Sequence, residues 1–67
     1  MQAAKDAMET RIHTLAKKIA TAGRIGNHSH MRGLIRSGRA LSQSALSDDV
    51  DRAAQGLVRA GTRIDLP

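Results

Sequence analysis

Four arginines and two histidines fall within residues 22–41, AGRIGNHSHMRGLIRSGRAL, and their spacing is the first chemistry the chain offers. His28, Arg32, Arg36, Arg39 and Gln43 recur at intervals of 4, 4, 3 and 4. On a helix these positions share one arc of about 80°. Guanidiniums aligned in this way can grip phosphates or, inside a major groove, the edge of guanine. Arg24 carries the stripe back into the preceding turn, and Ser37 and Gly38 flank it with little bulk. The candidate nucleic-acid contacts are therefore Arg24, His28, Arg32, Arg36 and Arg39.

Other chemistries find less support. His28 and His30 stand two residues apart, which on a helix points them to opposite sides. A shared ion would need an extended segment and His13 as a third ligand, whereas tetrahedral zinc sites usually take three or four. No metal or cofactor is expected. There is no cysteine, and no serine, histidine and acid fall at a recognisable nucleophilic spacing. GRIGN lacks the Lys-Ser/Thr pair of a phosphate-binding loop. The expectation is a non-enzymatic protein.

Charge and composition narrow the partners. Eleven Lys and Arg against six Asp and Glu give a net charge of +5 on 67 residues. Such a surface attracts polyanions, nucleic acid first and acidic proteins second. Aromatic residues are absent. That removes the stacking platforms of the common RNA-binding and single-strand-binding modules, and it removes the Trp and Tyr that anchor chains at membrane interfaces. No apolar run reaches transmembrane length and no export signal is visible. The expected location is the cytoplasm, without membrane contact.

These side chains must be positioned by helices. Residues 2–22 hold no Gly or Pro and six alanines, which favours helix. Ala4, Met8, Ile12, Leu15, Ile19 and Ala22 fall in an arc of about 80°, a narrow, coiled-coil-like seam. Residues 28–43 form a second expected helix with Met31, Leu34, Leu41 and Ala45 on one face, Gly38 between them and Ile35 at the edge. Its two glycines imply close packing or ordering on binding. A third helix is expected over 48–60, with Leu46, Val50, Ala53, Leu57, Ala60 and Ile64 recurring on the inward face, Ser47 or Asp48 as its N-cap and Gly61 as its C-cap. Its Arg52, Arg59 and Arg63 lie opposite that face and read as solvated. Gly23 is expected to close the first helix, Asn27 or Ser29 to open the second, and 61–67 to form an extended tail.

The fold class is thus all-α, a single small domain over 1–67. Sixteen large aliphatic residues make a thin core, and chains of this size often rely on self-association. A homodimer through Met8, Ile12, Leu15 and Ile19 is expected. VDRAAQGLVRAGTRI, residues 50–64, resembles the recognition-helix stretch of winged-helix transcriptional regulators through Val50, Arg52, Leu57 and Gly61. The resemblance covers under a quarter of the chain, and no β-wing follows it. The resulting expectation is a small DNA-binding or DNA-associated regulator. The alternative is a protein-interaction module, an adaptor or antitoxin-like or anti-activator subunit, docking on an acidic partner.

Overall fold

A computed structural model describes residues 2–65, and the side chains of 3–65. Three helices follow one another: α1 (Gln2–Ile25), α2 (His28–Gln43) and α3 (Asp48–Asp65). Among the described residues there is no strand. The body is elongated, 39 × 15 × 14 Å. Its length follows from α1, whose 24 residues rise about 36 Å.

The turn between α1 and α2 shows why the first helix runs past Gly23. Gly26 adopts φ +71°, the left-handed conformation glycine reaches without penalty. The Gly26 amide donates to the Gly23 carbonyl at 3.3 Å, and the Asn27 amide to the Ala22 carbonyl at 2.9 Å. This pair of bonds is a Schellman motif, with Gly26 rather than Gly23 as the capping glycine. Asn27 then opens α2, its side-chain oxygen accepting from the His30 amide at 3.1 Å. Two residues therefore suffice to reverse the chain.

The turn into α3 uses serines. The Ser44 hydroxyl donates to the Ala40 carbonyl at 2.9 Å and closes α2. The Ser47 hydroxyl accepts from the Val50 amide at 3.3 Å, which makes Ser47 the N-cap of α3. Asp48, Asp49 and Asp51 occupy the first turn, where the helix dipole favours negative charge. At the other end α3 continues through Gly61 to Asp65, so 61–65 are helical and not an extended tail. Residues 66 and 67 of that expected tail lie outside the described residues.

Gly61 is helical because it is needed in the interface. A Cβ there would stand 2.7 Å from Ile35 Cγ1, and one at Gly38 would stand 3.1 Å from Val58 Cγ2. The two glycines let α2 and α3 approach closely, and α2–α3 is the most extensive of the three helix pairings. The pairing turns α3 slightly from its expected orientation. Val50, Ala54 and Gly61 are buried, whereas Leu46, Ala53, Ala60 and Ile64 are exposed. The inward face has rotated towards α2.

The core is Ile19 and Ala22 of α1 packed against Met31, Leu34 and Ile35 of α2, with Leu15, Leu57 and Val58 at its margin. Met31 and Val50 are almost completely enclosed. The α1 seam therefore serves the chain's own core at its C-terminal half. Burial fades towards the N-terminus: Ile19 is buried, Met8 and Ile12 are half-buried, and Ala4 is exposed.

Candidate nucleic-acid interface

The α2 helix places its arginine stripe along the edge that faces α3. Arg24, His28, Arg32, Arg36 and Arg39 are all exposed. Arg32, Arg36 and Arg39 line a depression of about 300 Å³ between the helices, with Ile35 at its floor and Thr62 and Asp65 across it. Arg39 also lines a second depression of about 290 Å³, formed with Ser42 and Gln43 of α2 and Gln55, Val58 and Arg59 of α3. Arg39 joins the two into one groove along the α2–α3 hairpin.

Arg59 is the residue that sequence spacing misplaces. Spacing alone puts its stripe on a separate solvated surface. The rotation of α3 towards α2 carries Arg59 to the rim of the groove, opposite Arg39. The signal available in the sequence is Gly61. Read as an interface glycine rather than a cap, it moves the inward face of α3 by one position and Arg59 with it.

The electrostatics of the groove are uneven. At one end Asp65 engages both neighbours: its Oδ1 accepts a hydrogen bond from His28 Nδ1 at 2.9 Å, and its Oδ2 forms an ion pair with Arg32 Nε at 3.8 Å. Arg36, Arg39 and Arg59 have no ion-pair partner among the described residues. At the other end Asp51 is engaged by its own helix pair. The Ser42 hydroxyl donates to Asp51 Oδ1, and Gln55 Nε2 donates to the same oxygen at 3.0 Å. These two bonds hold the Asp51 carboxyl below its usual range against the opposing effect of desolvation, and the Arg52 charge adds the smallest lowering. The middle of the groove is therefore its most positive part.

The outer side of α2 is low. Ser29, Gly33, Ser37 and Ala40 are exposed, and a Cβ at Gly33 would meet nothing within 4 Å. No bulky side chain of this face stands between the guanidiniums and an approaching phosphate backbone. Arg24, in the last turn of α1, lines neither depression of the groove.

The two histidines part company. His28 faces Asp65 on α3, while His30 lines a depression with Lys17, Lys18 and Ile25 of α1. Among the described residues no three His, Cys, Asp or Glu side chains converge where a metal would sit. Among them, too, no helix is long and apolar enough to cross a membrane. No family model, no curated protein and no solved structure matches this chain.

Proposed function

We propose that this chain is a small DNA-binding regulator without enzymatic activity, and that the α2–α3 groove grips the phosphate backbone. The observation that carries the reading is the convergence of Arg32, Arg36, Arg39 and Arg59 on one groove. Three of them have no counter-ion among the described residues. Arg36 and Arg39 at its centre would clamp phosphates, Arg59 would close from α3, and Arg32 would join once it leaves Asp65. Arg24 and His28 would extend the interface at the α1–α2 turn.

An acidic protein partner is the competing occupant of the same stripe. It would be favoured if apolar surface lay beside the arginines, because a protein would bury both together. Ile35, the aliphatic residue next to the stripe, is already buried under α3. Val58 stays half-buried in the groove beside Arg39 and Arg59, but the outer side of the stripe is small and polar, and that is the side from which a phosphate backbone would approach.

Self-association is proposed through the half-buried part of the α1 seam, Met8 and Ile12. Leu15 and Ile19 are committed to the core. In a two-fold dimer each groove would appear twice, matching a symmetric site. Met8→Asp should then reduce the sedimenting mass to that of a monomer while helicity is retained. An unchanged mass would remove this surface from the assembly.

The decisive experiment is binding to a generic labelled duplex at about 50 and about 200 mM salt. Four neutralised phosphates imply a loss of about a hundredfold in affinity over that range. Arg36→Ala with Arg39→Ala should weaken binding and flatten the logarithmic salt slope by about 0.9 for each phosphate no longer neutralised. Negligible duplex binding at the lower salt, or an unaltered slope in the double variant, would sink the assignment.

A further inference from the structure

The geometry points to a second recognition surface, at the C-terminal end of α1 beside His30 of α2, that takes an acidic protein segment carrying an aliphatic anchor. Ile25 ends α1 and is 67% exposed, the most exposed large apolar side chain among the described residues. It lines a depression of about 200 Å³ with Lys17, Lys18, Thr21 and Ala22 of α1 and His30 of α2. No carboxylate lines this depression. Lys17 and Lys18 have no ion-pair partner among the described residues. An aliphatic wall is therefore rimmed by two ammonium groups and an imidazole.

Charge complementarity selects the occupant. Ammonium groups that no carboxylate neutralises attract acidic side chains, and the aliphatic wall rewards a Leu- or Ile-sized side chain removed from water. Nucleic acid matches poorly, because Ile25 and Ala22 offer a phosphate nothing and no guanidinium lines the depression for bidentate bonding. An anionic membrane matches poorly as well. The surface is concave, presents one large aliphatic group, and the chain has no aromatic residue to seat at an interface. An acidic peptide with an aliphatic residue between its carboxylates satisfies every group present.

The surface is separate from the arginine groove: none of its lining residues lines the α2–α3 depressions. It would let one chain hold DNA on one side and an acidic partner on the other. The inference does not depend on the groove being a DNA site.

The test uses a fluorescein-labelled peptide of alternating Glu and Leu, and the same peptide with Ser for Leu, titrated with the full chain. The Glu-Leu peptide should bind and the Glu-Ser peptide should bind much more weakly. Ile25→Ser should weaken the first by about tenfold, the loss expected from one aliphatic side chain. Lys17→Glu with Lys18→Glu should weaken it at least as much, while Arg36→Ala with Arg39→Ala leaves it unchanged. Lys17, Lys18 and Ile25 are all exposed, so circular dichroism should show an unaltered fold. Four results would overturn the assignment: no binding up to about 1 mM peptide, the weak end of specific recognition; equal binding of the Glu-Ser peptide; binding that follows the arginines and ignores Ile25; or Ile25-dependent binding to phosphatidylserine vesicles tighter than to the peptide.

Discussion

The α2–α3 interface and the docking of α1 mix the same materials, glycine and aliphatic side chains, in different proportions. Between α2 and α3 the closest approach is made by residues without side chains, Gly38 and Gly61, with Ala54 fully enclosed beside them. The α1 helix makes one such approach, at Gly23, where a Cβ would stand 2.8 Å from Ile64 Cγ2. It otherwise meets the hairpin through the aliphatic side chains of Ile19 and Leu15, with burial declining towards Ile12 and Met8. A glycine interface is already at its minimum distance, so it is damaged by enlargement. An interface of aliphatic side chains is damaged by truncation. The hairpin that carries the arginine groove is therefore a fixed platform, and α1 is the element that braces it from behind.

Truncation should act first on α1. Ile19→Ala removes a core side chain next to Met31 and Leu34 and should cost about 3 kcal/mol in urea unfolding. Ile12→Ala, half-buried at a depression with Val50 and Ala53, should cost about 1 kcal/mol. Equal losses at the two positions would show that burial along α1 is uniform and break the comparison. Enlargement should act on the hairpin. Gly61→Val drives a side chain into Ile35 and should cost about 2 kcal/mol. It should also weaken duplex binding, because α2 and α3 must separate and Arg59 moves away from Arg39. A Gly61→Val chain as stable as the parent would mean the two helices are not closely packed there.

The same distinction explains what was legible in the sequence. Three helices and both punctuation points follow from local signals: alanine content, the Asn27 and Ser47 caps, and the acidic first turn of α3. The α2 stripe was legible because a helix fixes its own angular spacing whatever packs against it. Helix ends were less so, since Gly23, Gly26 and Gly61 look alike in sequence. One lies inside a helix against Ile64, one takes positive φ, and one is buried under Ile35. Only the neighbouring helix tells them apart. The groove itself was illegible for the same reason. Arg39 and Arg59 belong to different helices, and their meeting depends on an interhelical rotation set by Gly38 and Gly61.

A third glycine offers a control of opposite sign. Gly33 lies in α2 with open space around it. Gly33→Ala should raise stability by about 1 kcal/mol through helix propensity alone. It should leave unfolding cooperativity unchanged and should thin the space above the stripe by one methyl group. A destabilised Gly33→Ala chain would show that α2 is covered on its outer face by something other than solvent, such as a second copy.

The smallest effect separates the two ends of the groove by pH. Asp51 is held below its usual carboxylate range by the Ser42 and Gln55 hydrogen bonds. A group whose pKa is lower in the folded state contributes stability above its unfolded value and loses it as pH falls through the folded one. That contribution is therefore complete at neutral pH and declines below about pH 4. Ser42→Ala removes the first of its causes. It should lower Tm at neutral pH, and the gap from the parent chain should narrow as the pH falls below the ordinary carboxylate range and through the lowered pKa of Asp51, where protonation removes the advantage. A gap that stays constant with pH would assign the loss to packing of the serine at the end of α2 and not to the carboxylate it holds. The two acidic residues then differ in kind: Asp65 lines the groove and directs its charge at His28 and Arg32, while Asp51 sits behind Ser42 and Gln55 and ties the α2–α3 corner together.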